Sequence, residues 1–326
     1  MLVLGIETSC DDSAVAIVEV NSTTGSNRVL ASLRHTQIEE HRAFGGTVPE
    51  IAARAHLEYL LPTLDAVLKV SNKRLEDIEL IAVTAKPGLF GSLVIGISTA
   101  KTLAQVIKKP YVEVNHLHGH LLSYFCNKDL DIRDSLELLG LIVSGGHTEL
   151  VRFTSDKEYL VISRTRDDAV GECFDKIGRL IGLQFPAGPE LSKLALKGNR
   201  DRIKWPQTKL GDSLDFSFSG IKTAVLRYLQ KVTCSDINEI PVPSKIDEQL
   251  TFDIAASIED YLTNQLVDKL IKATKVEDYK SIVLGGGVSA NNLLRTKLAP
   301  IGVMIPELEY TTDNAAMIAL AGAFID

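Results

Sequence analysis

The sequence has few cysteines and no recognisable export segment. Its four cysteines are scattered and form no C-x-x-C pair: Cys10, Cys126, Cys173 and Cys234. No positively charged stretch precedes an apolar core at the start, because Met1 leads directly into a strand-like run. Both absences fit free thiols in a reducing compartment, so we expect a cytoplasmic protein.

Long apolar runs and an excess of positive charge are also missing. The apolar runs are shorter than a membrane span requires, so we predict no transmembrane segment and no membrane partner. The net charge of −7 does not indicate a chain that binds nucleic acid through its overall field. Contact with nucleic acid would need a local basic patch or a partner subunit, and the basic stretches 69–74 and 197–204 are more typical of solvated surface.

Apolar residues follow a pattern in which strands and helices alternate. A chain of 326 residues, 45% of them apolar, predicts two domains or one domain with two lobes. The periodicity predicts strands over 80–84 and 111–114, and helices over 49–68, 92–108, 171–183 and 251–274. Pro49 suits a first helical turn, and Pro62 predicts a kink or a break. The alternation favours an α/β fold.

One hairpin pattern occurs twice in the chain. The first copy has strand-like runs at 2–6 and 14–20 around a polar turn. The second has runs at 141–143 and 149–153 around the small polar turn 144–148. Turns that expose several backbone N–H groups bind anions, so each turn is a candidate anion site.

A run of three glycines follows the strand-like segment 281–284. Residues 288–292 are expected to open a helix directly after this run. Such a junction fits either close approach to a nucleotide or a tight structural turn. The pattern is not G-x-G-x-x-G, and no Gly-Lys-Ser/Thr follows Gly88 and Gly91, so neither a dinucleotide fold nor a P-loop is supported.

His116 and His120 lie four residues apart after a strand-like run. On a helix they would share one face and could bind one zinc or other transition-metal ion, or they could simply be polar residues on a helix. Asp313 offers a third ligand, although it could instead cap a helix. His118 points about 200° away, at roughly 100° per residue. Leu117 stands where a zincin protease needs its glutamate base.

These pieces together suggest an actin-like ATPase architecture, with two hairpin-led halves that close on a nucleotide. Over essentially its whole length the chain resembles the universal tRNA N6-adenosine threonylcarbamoyltransferase family, in its bacterial TsaD type, formerly called glycoprotease or O-sialoglycoprotein endopeptidase. The segments that carry the resemblance occur in the family's order: 5–13, 44–54, 115–120, 143–148, 171–176, 216–223, 286–291 and 312–316.

The resemblance implies both a fold and a division of the chain. The fold is α/β with actin-like ATPase (ASKHA) architecture, in which two RNase H-like lobes contain mixed sheets flanked by helices. Residues 1–121 plus 306–326 would form the N-terminal lobe. Residues 122–305 would form the C-terminal lobe with helical insertions.

The resemblance also implies a reaction and its partners. Threonylcarbamoyl-AMP would donate its threonylcarbamoyl group to the N6 amine of the adenosine 3′ of the anticodon (tRNA position 37), in tRNAs that read codons starting with A. The implied cofactors are one divalent metal ion, Fe²⁺ or Zn²⁺, and an adenylate or ATP-type nucleotide in the cleft. The implied protein partners are a TsaB-like actin-fold paralogue, which dimerises through the first lobe, and a TsaE-like P-loop ATPase.

Residues with implied roles fall into three groups. The metal ligands would be His116, His120 and Asp313. Glu7 and Asp11 would be the catalytic candidates, orienting a water, the metal or the attacking amine. The substrate-binding residues would be Ile142, Val143, Ser144, Gly145, Gly146, Asp175, Gly188 and Asn291.

The sequence departs from the family pattern at three positions. Lys86 replaces the first glycine of a Gly-Pro-Gly loop, and Ala187 replaces the first glycine of a Pro-Gly-Gly-Pro segment. Ile142 stands where archaeal-type relatives carry a tyrosine. Two other functions remain as alternatives: a metal-dependent glycoprotease and a non-catalytic actin-like partner subunit.

Overall fold

The computed structural model describes residues 1–325 except 22, 155–157, 209, 234–242 and 244–245. Cys234 therefore lies outside the described residues. The other three cysteines are free thiols. Within the described ranges the chain forms two mixed sheets flanked by helices, as the sequence predicts.

The first sheet contains five strands in the order β3-β2-β1-β4-β5. The strands are β1 (Leu2–Glu7), β2 (Asp12–Val20), β3 (Asn27–Thr36), β4 (Leu80–Lys86) and β5 (Tyr111–Asn115). β1 is antiparallel to β2 and parallel to β4, so the first predicted hairpin lies at the centre of the sheet. The sequence reading did not predict β3.

The second sheet repeats this arrangement with four strands in the order β8-β7-β6-β9. They are β6 (Leu138–Val143), β7 (Thr148–Phe153), β8 (Tyr159–Arg164) and β9 (Ser281–Gly285). β6 is antiparallel to β7 and parallel to β9, as β1 is to β2 and β4. The internal repeat predicted from the two hairpins is therefore a repeat of sheet topology.

Ten α-helices flank the two sheets in the described residues. They are α1 (Ile38–Arg42), α2 (Pro49–Ser71), α3 (Phe90–Ile107), α4 (His116–Leu122), α5 (Val170–Leu180), α6 (Gly188–Ala195), α7 (Ser219–Thr233), α8 (Glu248–Ala273), α9 (Asn292–Leu298) and α10 (Ala315–Ile325). The expected break at Pro62 is wrong, because α2 continues past it. Pro62 lies on the exposed face, where water can satisfy the carbonyl that proline leaves unpaired one turn earlier.

The glycine junction after β9 differs from the predicted strand-to-helix turn. Gly286, at φ +92°, turns the chain into a short 3₁₀ segment, Gly287–Ala290. The α-helix begins only at Asn292, because the Asn291 side chain accepts the Leu294 N–H and caps α9.

Helix α10 connects the end of the chain to the centre of the first sheet. Its buried residues are apolar and form one core cluster with residues of β1, β4, α4, β6 and β9. The backbone of Ala315 lies so close to Gly5 of β1 that a Cβ at Gly5 would collide with it. This packing places the segment just before α10, which contains Asp313, beside helix α4. The proposed lobe boundaries, 1–121 plus 306–326 and 122–305, remain predictions.

Helix α3 is the one described helix long and apolar enough to cross a membrane, with 18 residues and a mean hydropathy of 1.4. The sequence reading predicted no such segment. Buried core helices pass the same test of length and composition, so this helix is weak evidence for a membrane. Its buried side chains, which include Leu93 and Ala100, belong to the side that packs on α2 and β4.

Candidate metal centre and adjoining turns

Helix α4 places two histidines on one buried face. Asn115 ends β5 and caps the helix, because its side chain accepts the Leu117 N–H at 2.9 Å. His116 and His120 follow at the i, i+4 spacing, and both are buried. Their ring centroids are 4.5 Å apart with an interplanar angle of 80°.

Asp313 completes a three-residue cluster with these histidines. Its Oδ1 lies 3.5 Å from His116 Nε2 and 3.2 Å from His120 Nε2. The candidate ligand atoms all lie within 4.8 Å of one another. Asp313 is not the helix cap, because Asn314 accepts the Met317 N–H at 2.9 Å and leaves the aspartate free to face the imidazoles.

The cluster fits a divalent transition metal, because buried imidazole nitrogens in it are not satisfied by hydrogen bonds in the part of the chain that the structure describes. His120 is fully buried, and among the described residues neither ring nitrogen makes a well-formed hydrogen bond: Nε2 faces only the Asp313 carboxylate, at 3.2 Å. A buried polar atom without a partner is costly in free energy, and a metal bond would remove that cost. Two imidazoles and one carboxylate are a donor set that Zn²⁺ and Fe²⁺ accept with open positions.

Buried charges at the cluster hold one another in place. Burial favours the neutral form of Asp313, but the two histidines hold the pKa of its carboxyl well below the usual range. Burial would lower the pKa of His116, but the carboxylates of Glu7 and Asp313 raise it well above its ordinary value. Burial and the neighbouring His116 lower the pKa of His120, which favours the neutral, metal-binding imidazole.

Glu7 lies behind His116, at the end of β1. The carboxylate is fully buried and its Oε2 is 2.9 Å from His116 Nδ1. It also accepts hydrogen bonds from the Ser9 N–H and the Thr84 hydroxyl. A carboxylate that accepts from Nδ1–H leaves Nε2 as the metal-facing atom. This geometry favours a positioning role for Glu7 over contact with substrate.

His118 lies outside the cluster, as its helical angle predicts. Its ring stacks on Tyr159 and meets Phe153 edge to face. Burial lowers the pKa of His118 to about 4. This histidine therefore packs on the second sheet and provides an internal comparison for the metal candidates.

Asp11 lies in the first hairpin turn but not among the clustered ligand atoms. Its Oδ2 accepts the Thr47 hydroxyl at 3.3 Å, and its carbonyl accepts the Gln37 N–H. A catalytic role for Asp11 stays a prediction.

The second hairpin turn lies beside the same cluster. Ser144 closes the turn by donating its N–H to the His147 carbonyl and accepting the His147 N–H on Oγ. Gly145 and Gly146 are exposed, and their N–H groups have no partner among the described residues. Burial, then the nearby His116 and His120, lower the pKa of His147, which places this turn within electrostatic range of the cluster.

Ile142 and Val143 are fully buried in β6, where Ile142 pairs with both β7 and β9. The side chains of both residues belong to the core rather than to an open site. Their part in binding substrate stays a prediction. The exposed part of this turn consists of the two glycines that follow Ser144, and anion binding there stays a prediction.

Three backbone segments meet at this turn. A Cβ on Gly171, at the start of α5, would collide with the Ser144 carbonyl. A Cβ on Gly286 would collide with the Val143 carbonyl. A Cβ on Gly285 would collide with the His120 carbonyl. The glycine junction is therefore in contact with both the second turn and the histidine helix.

Residues that were predicted to contact adenylate form hydrogen bonds within the protein. Asp175 Oδ1 accepts the N–H groups of Ala187 and Gly188, at 2.7 and 3.2 Å, and so fixes the start of α6. Burial raises the pKa of Asp175. The Asn291 amide donates to Ser192 and to Glu259, in addition to its capping bond. Contacts of these residues with adenylate stay predictions.

The structure shows the surroundings of two residues that differ from the family pattern, Ala187 and Lys86. The methyl group of Ala187 is buried and lies so close to Gly178 of α5 that a Cβ there would collide with it. Lys86 is exposed at the end of β4, and its peptide bond to Pro87 is cis. Neither substitution alters the three candidate metal ligands.

A buried polar network around His56 was missed by the sequence reading. His56 Nε2 lies 3.0 Å from the Cys10 carbonyl, and its Nδ1 lies 2.7 Å from Ser13 Oγ. His41 Nδ1 accepts the Val48 N–H at 3.3 Å, and Gln37 lies between the two histidines. The sequence around His41 and His56 contains no motif that predicts this network, because most of their partners are distant in sequence.

Comparison with known proteins identifies a family. The family model for TsaD, tRNA N6-adenosine threonylcarbamoyltransferase, matches residues 28–320. A protein of this name from Fervidobacterium nodosum is 44% identical over 330 residues, covering 99% of this chain and 92% of the relative. Another from Mesoplasma florum is 40% identical, covering 98% of this chain and 96% of the relative.

Solved structures share the fold at much lower identity. Full-length HypF, in a phosphate- and nucleotide-bound form, matches with a TM-score of 0.58 and 14% identity, covering 99% of this chain and 46% of HypF. Component A of the Acidaminococcus fermentans (R)-2-hydroxyglutaryl-CoA dehydratase matches with a TM-score of 0.54 and 14% identity, covering 99% and 98%. These likenesses establish the actin-like ATPase architecture. With 40–44% identity to enzymes of that name along nearly its whole length, the chain belongs to the TsaD family and transfers a threonylcarbamoyl group to the N6 amine of adenosine in tRNA.

Proposed function

We propose that the donor is threonylcarbamoyl-AMP and that the reaction depends on a divalent ion, Fe²⁺ or Zn²⁺. The observation that carries the metal dependence is the buried cluster of His116, His120 and Asp313, in which both imidazole Nε2 atoms face the same carboxylate oxygen. In the transfer, a bond forms between N6 and the carbamoyl carbon while the carbon–oxygen bond to AMP breaks. One proton leaves the amine.

The three ligands would hold the ion at the boundary between the first sheet and the second hairpin turn. When bound, such an ion supplies a Lewis acid beside the carbonyl of the transferred group. Glu7 keeps the His116 ring oriented by accepting its Nδ1–H. His147 of the second turn is close enough to His116 and His120 for them to lower its pKa, after burial, and we propose that the donor meets the ligands on this side.

The second turn suits the phosphate of the donor. The N–H groups of Gly145 and Gly146 are exposed and without partners in the described residues, which is the arrangement that binds anions. The same donors can stabilise negative charge on departing AMP. Asp175, Gly188 and Asn291 lie on α5 and at the starts of α6 and α9, and we propose that this region receives the adenosine part.

The acceptor is the adenosine 3′ of the anticodon. An N6 amine is a weak nucleophile because its lone pair is delocalised into the ring. Holding it against an activated donor in a near-attack geometry can therefore supply more of the rate than removal of a proton. No general base is assigned, and Asp11 in the first turn remains the catalytic candidate.

The assay that tests this function uses labelled threonine, bicarbonate, ATP, the enzyme that makes the adenylate, the proposed partner proteins and unmodified tRNA. We expect label in tRNA with this chain present and none without it. A substrate tRNA with guanosine in place of the acceptor adenosine should remain unlabelled, since it has no N6 amine. Label that persists with the guanosine variant would contradict the assigned acceptor.

We also propose that a TsaB-like actin-fold paralogue binds the first lobe and that a TsaE-like ATPase acts with it. Helices α2 and α3 pack together and leave a shared set of apolar side chains exposed: Leu57, Leu61, Val70, Phe90, Val94 and Val106. Leu57 and Leu61 are 68% and 57% exposed and form one stripe at the i, i+4 spacing. Apolar patches of this kind favour a protein interface.

Replacing both stripe residues with aspartate should break this interface. We expect the Leu57→Asp, Leu61→Asp variant to bind the paralogue at least about thirtyfold more weakly, the scale of a lost hot spot. Light scattering of the mixed proteins would measure the complex. Leu196→Asp is the control, because Leu196 is an exposed leucine away from this surface, directly after α6. Equal binding by the stripe variant and the wild type would exclude this surface.

A further inference from the structure

A groove of about 380 Å³ lies between the segment after α1 and the end of α5, apart from the metal cluster and the second hairpin turn. Arg42, Phe44 and Gly45 line one wall, and Arg179 and Phe185 line the other. The two walls are joined where the Arg179 guanidinium donates to the Gly45 carbonyl. The groove therefore spans the first and second halves of the chain.

Phe44 is the most unusual residue of this groove. Phe44 is 61% exposed although its side chain is apolar, and it lines the groove together with Arg42 and Arg179. Proteins hold single-stranded nucleic acid in grooves that combine exposed aromatic rings, on which bases stack, with basic side chains. The net charge of the chain is −7, so a groove with two arginines is a local exception that matches a polyanion.

The segment that carries Phe44 is anchored by the buried residue His41. His41 is fully buried, and its ring accepts the Val48 N–H across the base of the segment. Gly45 has a φ of +67°, a backbone conformation that glycine adopts without strain. An anchored base and a fixed turn let Phe44 remain exposed without being free to collapse onto the surface.

The groove adjoins the catalytic region on both sides. On one side Thr47 donates to Asp11, and Ser9 of the same turn lies 3.3 Å from His116 Nδ1. On the other side Arg179 follows Asp175 by one turn of α5. One wall of the groove is thus linked to the first hairpin turn and the other to the proposed adenosine region.

We propose that this groove binds a single-stranded RNA segment beside the acceptor adenosine, with a base stacked on Phe44 and phosphates near Arg42 and Arg179. This inference rests on the proposed function and adds a contact surface for its RNA substrate. Within the described part of the chain, the Arg42 side chain forms an exposed ion pair with Glu39, at 2.8 Å. Such pairs contribute little, so the guanidinium can exchange this partner for phosphate.

The decisive comparison uses Phe44→Ala and Phe44→Trp in the chain with its partner proteins. Binding of a fluorescent, unmodified anticodon stem-loop RNA is measured by anisotropy, and the KM values for tRNA and donor are measured separately. We expect Phe44→Ala to weaken RNA binding and raise the KM for tRNA by about tenfold or more, the range for one lost base–aromatic stack. The KM for the donor should stay within twofold, and Phe44→Trp should behave as the wild type.

Arg42→Ala tests the phosphate contact through salt dependence. The slope of log affinity against log salt concentration should fall by about 0.7 for one lost contact to a single strand. Arg28→Ala is the control, because Arg28 is an exposed arginine on β3. Its slope should equal that of the wild type.

Each outcome separates the groove from the transfer reaction. RNA binding that depends on Phe44 in a protein that transfers no label would refute the proposed function and support the groove. Label transfer with wild-type RNA binding and tRNA KM in Phe44→Ala would overturn the groove proposal alone. Loss of paralogue binding by Phe44→Ala, with unchanged RNA binding, would identify the groove as a protein contact and also overturn it.

Discussion

Replacing His120 with alanine should remove the bound divalent metal and abolish threonylcarbamoyl transfer. His120 would supply one of three protein ligands, and the remaining two cannot hold an ion tightly in competition with buffer and water. The loss in affinity should exceed the 10–100-fold that removal of an outer partner of a ligand typically causes. Metal content per chain, measured by mass spectrometry after gel filtration, gives the direct readout.

The fold should survive this change. Truncation of His120 removes its contact with Asp313, but the carboxylate keeps His116 as a partner. It also removes a buried imidazole whose ring nitrogens lack well-formed hydrogen bonds in the described residues, which offsets part of the cost of the cavity. We therefore expect an unchanged far-UV circular dichroism spectrum in the metal-free variant.

His118→Ala is the matched control for this experiment. His118 occupies the same helix, two residues away, and packs against Phe153 and Tyr159 rather than Asp313. It should retain the metal content of the wild type. Equal metal content in wild type and His120→Ala, or equal losses in both alanine variants, would contradict the assignment of the ligands.

The sequence alone predicted those features whose signals are local. Both hairpins, the histidine helix and the position of His118 follow from apolar periodicity and from about 100° of rotation per residue. Asp313 is different, because its place depends on α10 packing against Gly5 and α4. The sequence offered Asp313 only as a candidate third ligand, since no spacing rule connects it to His116, and the family resemblance then supported that choice.

Long-range pairing explains what the sequence did not reveal. Strand β3 alternates between exposed and buried positions at the edge of the first sheet, so it lacks the continuous apolar run of β1. Nothing in the sequence indicated that the Asn291 side chain caps α9 and donates to Glu259, while its contact with adenylate stays a prediction. The partners of such polar residues are set by the tertiary fold, which a single sequence pattern does not encode.

Replacing Glu7 with glutamine should weaken metal binding without removing any ligand. The Glu7 carboxylate accepts from His116 Nδ1 and from two further donors, and it is fully buried. Glutamine keeps the shape but loses the negative charge, so it holds the imidazole less firmly and makes it a poorer ligand. Metal affinity should fall about 10–100-fold, the usual cost of losing such an outer carboxylate.

Transfer activity distinguishes a positioning role from a catalytic one. If Glu7 acts only through His116, activity of Glu7→Gln should recover toward the wild-type rate as the concentration of the divalent ion is raised. Glu19→Gln is the control, because Glu19 is an exposed glutamate at the other end of the same hairpin. Activity that stays low at saturating metal would show that Glu7 contributes to the chemical step itself. Because the Glu7 carboxylate is fully buried behind the His116 imidazole, we expect the transfer activity to recover.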